Sequence, residues 1–152
     1  MKLFFDTSAL SKRYREELGS STVASLLANS DPAPIITRLG HVELHSVIGK
    51  KVRIGEITQA ESEIVRKMFL KDIRLKRLSV GRHVAEDFLI ATELLTKYAP
   101  VRNLRTLDAI QLATALRFKR SGLIDTFVCS DLPLLQFAEW EELSTINPEM
   151  GT

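Results

Sequence analysis

The sequence predicts an α/β sandwich of three layers, with a mostly parallel central sheet of four to five strands and helices on both faces. Three observations lead there. Short apolar runs of strand length alternate along the chain with longer segments of helical period. Such alternation favours right-handed crossovers between parallel strands. The segment 105–121 is apolar on most of its sides (Leu107, Ile110, Leu112, Ala113, Leu116), as a helix buried against several neighbours must be.

The elements follow in order. KLFFD at 2–6 is a compact strand. A helix over 7–17 is stopped by Gly19-Ser20-Ser21, which also caps a second helix with Val23, Leu26 and Leu27 on its inner face. PIIT at 34–37 is the second strand. A helix over 41–53 turns Leu44, Val47 and Ile48 inward, and one over 58–74 turns Ile64, Val65, Met68 and Phe69 inward. LKRLSV at 75–80 alternates weakly and reads as a strand. In 82–98 the apolar residues Val84, Phe88, Ala91, Leu95 and Tyr98 recur at spacings of 4, 3, 4 and 3, a helical stripe. After the buried helix comes TFVCS at 126–130, a β-branched and aromatic strand. Trp140 follows Leu134, Leu135 and Phe137 as packing for a last helix, and LSTIN at 143–147 is a candidate edge strand.

Composition narrows the function classes. The chain has 152 residues, 45% apolar and 26% charged, with no linker, repeat or biased segment, so 1–152 reads as a single globular domain. The one cysteine, Cys129, excludes an internal disulfide and a Cys-rich zinc site and points to a reducing compartment. Apolar runs fall far short of the roughly 20 residues of a membrane span. Asp6 interrupts the N-terminal apolar run, against a signal peptide. A soluble, cytoplasmic protein is expected. The net charge of +2 hides an uneven division: residues 1–65 carry 8 basic and 8 acidic side chains, 66–120 carry 13 and 5, and 121–152 carry 6 acids and no Lys or Arg. The basic middle suits a polyanionic partner, though solvated helix faces have the same composition.

Ligands of open parallel sheets bind beyond the carboxyl ends of the strands. Asp6 closes the first strand and Asp131 follows TFVCS directly; Glu43 lies in the first turns of the helix after PIIT, and Asp108 in the first turn of the 105–121 helix. Each has a structural role open to it. Asp6 and Asp131 can cap helices, Asp108 with Gln111 resembles a capping box, and Glu43 can be a solvated first-turn acid. Together they converge on one sheet edge, where four carboxylates cannot all ionise without a cation. Their oxygens are a ligand set for Mg²⁺ or Mn²⁺, and a metal-activated water suits in-line hydrolysis of a phosphodiester. Thr7, Ser8 and Ser130 stand beside these acids and can orient them. Arg102 and Arg105, just before Asp108, can contact phosphates flanking the scissile bond.

Competing motifs are weak. Neither G-x-G-x-x-G nor the P-loop pattern occurs. His41 and His45 have zinc-ligand spacing, but the run is H-V-E-L-H and a third ligand is not evident. Cys129 reads as core.

The acids and their surroundings resemble the PIN-domain nucleases, and within them the VapC-type toxins of toxin–antitoxin modules. FFDTSALSKRYREELGS is similar to the family's first strand and helix, ITRLGHVELHSVIGK to its glutamate segment, TLDAIQLATAL to its L-D-A-x-x-L-A-T-A helix, and FVCSDLPLLQFA to the strand with its last aspartate. The resemblance implies a PIN-like fold and Asp6, Glu43, Asp108 and Asp131 as metal-binding catalytic acids. It also implies a metal-dependent endoribonuclease acting on tRNA or rRNA, a Mg²⁺ or Mn²⁺ cofactor, a homodimer, and an antitoxin that occludes the acidic groove. Cys129 departs from the family pattern, which has Thr two positions before the last aspartate; Ser130 is the adjacent hydroxyl. The alternative is a non-catalytic PIN module that binds RNA or a protein partner. A dehalogenase-like phosphatase would want D-x-D where this chain has Asp6-Thr7-Ser8, and a receiver domain a late lysine, yet none follows Lys119.

Overall fold

The computed structural model describes residues 1–150; Gly151 and Thr152, the end of the expected domain, lie outside the described residues. Among the described residues five strands, β1 (Leu3–Phe5), β2 (Ile35–Thr37), β3 (Ser79–Gly81), β4 (Thr126–Val128) and β5 (Ser144–Ile146), form one sheet in the order β3-β2-β1-β4-β5. Every pairing is parallel. The helices are α1 (Thr7–Leu10), running into a 3-10 turn at Ser11–Arg13, α2 (Ser20–Ala28), α3 (Arg38–Arg53), α4 (Gln59–Arg74), α5 (Ala85–Tyr98), α6 (Thr106–Arg120) and α7 (Leu132–Trp140). The expected α/β sandwich is the observed one, with all five strands parallel.

Side chains alternate across the sheet, as a strand's two-residue period requires. Phe4 and Phe127 pack with α5, α6 and α7 on one face; Leu3, Phe5, Ile36 and Val128 pack with α1 to α4 on the other. Phe4 and Phe127 stack at 5.5 Å, and Phe69 of α4 closes the second core edge-on to Tyr14. At Gly81 a Cβ would lie 2.5 Å from the Phe118 ring, so the close approach of β3 to α6 requires glycine. The strand order reverses between β1 and β4, which opens a crevice beyond their carboxyl ends.

Several expectations change. The helix expected over 7–17 ends at Arg13, because Ser20 Oγ takes the Glu17 N–H and donates to the Arg15 carbonyl, satisfying a turn instead. The strand expected at 75–80 is Ser79–Gly81, since α4 runs to Arg74 and the chain reverses through Lys76 at φ 56°. In α4 only Phe69 of the expected face is buried; Ile64 is 57% and Met68 44% exposed. In α5 the inward stripe is Asp87, Ile90, Ala91, Leu94 and Tyr98, while Val84 and Phe88 face outward. Trp140 is partly exposed but stacks on Tyr98 at 5.6 Å. No helix is long and apolar enough to cross a membrane among the described residues.

Candidate active site

The four acids reach one crevice from four segments. Asp6 ends β1 and caps α1, accepting the Ser8 N–H at 2.9 Å on Oδ2. Asp131 follows β4 and caps α7, accepting the Leu134 N–H at 3.0 Å on Oδ1. Glu43 stands in the second turn of α3, a helix that leaves β2 under a Thr37 cap. Asp108 is in the first turn of α6. All four line a cavity of about 450 Å³, walled by Leu39, Val42, Leu107 and Leu134. Two of these acids therefore serve the helix-capping role and face the crevice at once.

Hydroxyls hold the carboxylates. Thr7 Oγ1 donates to Glu43 Oε2 at 2.9 Å, and Ser8 Oγ donates to Asp6 Oδ2 at 2.6 Å. Ser130 does not behave as expected. Its Oγ is buried without a hydrogen-bond partner among the described residues, and its N–H donates to Ser8 Oγ at 3.0 Å. The group beside Asp131 is the Cys129 thiol, whose Sγ accepts the Asp131 N–H at 3.3 Å and lies 3.6 Å from Asp6 Oδ2. The Asp108–Gln111 capping box does not form. Gln111, 1% exposed, accepts from Thr37 Oγ1 at 2.6 Å and donates to Asp6 Oδ1 at 3.4 Å, tying β2 and α6 to the end of β1. Its signal in the sequence was its place one turn after Asp108 on the same helix.

Arg105 and Arg102 behave differently. Arg105 Nε donates to Asp108 Oδ2 at 2.7 Å, and Nη2 donates to Asp131 Oδ2 at 3.2 Å. Arg102 lines a neighbouring groove of about 880 Å³ with Asn103, Leu132, Pro133 and Gln136. That groove is larger than the acidic cavity, yet it lacks the converging carboxylates, and chemistry follows the groups that can do it. His41 and His45 lie ring to ring at 5.4 Å, both edge-on to Phe69, as packing rather than ligands.

A model of the PIN domain matches residues 3–127. The chain belongs to the PIN-domain family. No curated protein matches the sequence. Among solved structures this PIN domain is similar to FitAcB from Neisseria gonorrhoeae (TM-score 0.70, 16% identity, 97% of this chain and 99% of that one). It is also similar to VapC20 from Mycobacterium tuberculosis, described as a Sarcin-Ricin loop cleaving toxin (0.64, 18%, 89% and 94%). VapBC2 from Rickettsia felis, bound to a DNA fragment from its promoter, matches with a TM-score of 0.65 at 16% identity over 97% of this chain and 98% of that one. At these identities the likeness is one of fold.

Burial and neighbouring charge set the electrostatics of the PIN domain's crevice. Burial, with the charges of Asp6 and Asp108 adding to it, raises the Glu43 pKa against the opposing Thr7 hydrogen bond. Burial also raises Asp108, aided by Asp131 and Asp6 and opposed by Arg105. Burial pushes the Cys129 thiol up, so it stays protonated. Among the described residues no three such side chains are already gathered around a common ion position; each carboxylate is held by a protein donor instead. The donor set of four carboxylates with hydroxyl support is nonetheless the hard-oxygen chemistry that Mg²⁺ and Mn²⁺ take.

Proposed function

We propose that this PIN domain, acting as one unit over residues 1–152, is a Mg²⁺- or Mn²⁺-dependent endoribonuclease. It would be the toxin of a toxin–antitoxin pair that hydrolyses phosphodiester bonds of tRNA or rRNA in the cytoplasm. The observation that carries this reading is the convergence of Asp6, Glu43, Asp108 and Asp131 on one cavity at the carboxyl ends of parallel strands. Those four side chains would hold the metal, which when bound supplies Lewis-acid activation of water and screening of phosphate charge. Thr7 and Ser8 fix the rotamers of Glu43 and Asp6. Arg102 and Arg105 take phosphates flanking the scissile bond, and the amides of Asn103 and Gln136 lie along the adjoining groove where the strand would run.

Partners find support in two surfaces. A groove of about 260 Å³ between α3 and α4, with Val47, Ile57, Ile64 and Met68, suits an antitoxin segment. The outward Phe88 and Leu89 of α5, with Val84 at its N-cap, suit pairing with a second copy as a homodimer.

The test is substitution. Asp6→Asn keeps the helix cap, since Asn caps as well as Asp, and both Asp6→Asn and Asp108→Asn are expected to abolish RNA cleavage and growth arrest while the fold is retained. Sequencing RNA 5′ ends after induced expression reads the outcome. Undiminished cleavage by either variant contradicts the assignment. Absence of any cleavage by the unmodified protein favours a non-catalytic module.

A further inference from the structure

Among the described residues that line the acidic cavity, Arg105 alone is basic. Its guanidinium joins two acids that come from different helices, Asp108 of α6 and the Asp131 cap of α7. The choice of oxygens matters. Asp131 Oδ1 is committed to the α7 N-terminus through Leu134 N–H, so Oδ2 is the oxygen left for any other ligand, and Arg105 Nη2 holds it at 3.2 Å. Arg105 Nε holds Asp108 Oδ2 at 2.7 Å. A metal ion that draws on Asp131 Oδ2 and Asp108 Oδ2 competes with the guanidinium, because two cations at the same pair of oxygens repel one another. Arg105 is well placed to leave. Its side chain is 64% exposed, against 20% for Asp108 and 28% for Asp131, and exposed ion pairs of this kind are weak.

We propose that Arg105 is an exchangeable counter-cation of the metal site. In the metal-free protein it neutralises Asp108 and Asp131, and entry of a divalent ion releases it. The freed guanidinium, a planar fork that matches phosphate oxygens two at a time, is then available to the RNA backbone. This rests on the reading of the four acids as a metal site. It makes metal entry and release of Arg105 one equilibrium, and by reciprocity a phosphate that captures Arg105 tightens the metal.

Mn²⁺ titration calorimetry on the full chain tests the exchange. Arg105→Gln is expected to bind Mn²⁺ about three- to tenfold more tightly than the unmodified protein, the range that loss of one competing exposed bridge network allows. Arg102→Gln removes the same charge from a side chain whose contact is the Val101 carbonyl and is expected to change affinity by less than about twofold. In ¹⁵N NMR of the unmodified protein, the Arg105 Nε–H signal is expected to move to the position of a free arginine as Mg²⁺ saturates. Unchanged or weaker Mn²⁺ binding by Arg105→Gln, equal tightening by Arg102→Gln, or an Nε–H signal that stays put at saturating Mg²⁺ would each overturn the exchange and leave the metal site standing. Failure of both the unmodified protein and Arg105→Gln to bind Mn²⁺ would overturn the metal site and the exchange with it.

Discussion

Gln111 shows how much of the site depends on a residue that carries no charge. It is 1% exposed and spans Thr37 and Asp6, so its amide fixes the end of β2 against the end of β1. Gln111→Leu fills much of the same volume but leaves Asp6 without that donor, and a buried hydrogen bond lost on one side costs about 1–3 kcal/mol. Urea denaturation should read that loss, with cleavage slowed as well; unchanged stability would mean the bridge contributes nothing. The acids were legible in the sequence because they fall at strand ends and helix starts, where the fold rule places ligands. Gln111 was not legible, because one amide in an apolar helix looks like an i+3 cap partner. Cys129 was half legible: its burial follows from the apolar strand, but its contacts with Asp6 and the Asp131 N–H depend on how β1 and β4 pair.

Helices α5 and α6 are clamped by a polar pair, and this is where sequence pattern misled. Asp87 is fully buried on α5 and accepts two hydrogen bonds from Arg117 of α6, at 2.5 and 3.1 Å, and a third from Val84 N–H. An inward aspartate disguises the buried stripe, so the apolar residues at 84 and 88 looked like the inner face and are the outer one. Arg117→Ala leaves that buried carboxylate without its guanidinium, holding only the Val84 N–H bond and His83 at 3.7 Å, which costs about 3–5 kcal/mol; a loss below about 1 kcal/mol in chemical denaturation would contradict the clamp. Burial alone would raise the Asp87 pKa, but the Arg117 and Val84 hydrogen bonds hold it below the ordinary value. A depressed carboxylate stabilises the fold above its unfolded pKa of about 3.9 and loses that contribution as pH falls through the folded value. Arg117→Ala should therefore move the acid-unfolding midpoint to higher pH, measured by circular dichroism.

The whole molecule is a sheet one layer thick with two separate cores, and the site sits where they meet at the carboxyl edge. Phe4→Ala opens a cavity under β1 and α6 and should cost about 3–5 kcal/mol, a thermal-melt measurement. The uneven charge of the sequence resolves into place. Arg117, Lys119 and Arg120 close α6 at its C-terminus, about 14–18 Å along the helix from Asp108 by rise per residue. Lys119 and Arg120 complement the helix dipole and Arg117 pairs with Asp87, whereas Arg105 lies among the acids and Arg102 lines the adjoining groove. The most direct measurement is cleavage of total RNA by the purified protein with Mg²⁺, with Mg²⁺ chelated, and with Asp108→Asn in place of the unmodified chain. Discrete cleavage that requires Mg²⁺ and disappears in the variant is the predicted result; cleavage that persists without the metal or without Asp108 would contradict the account.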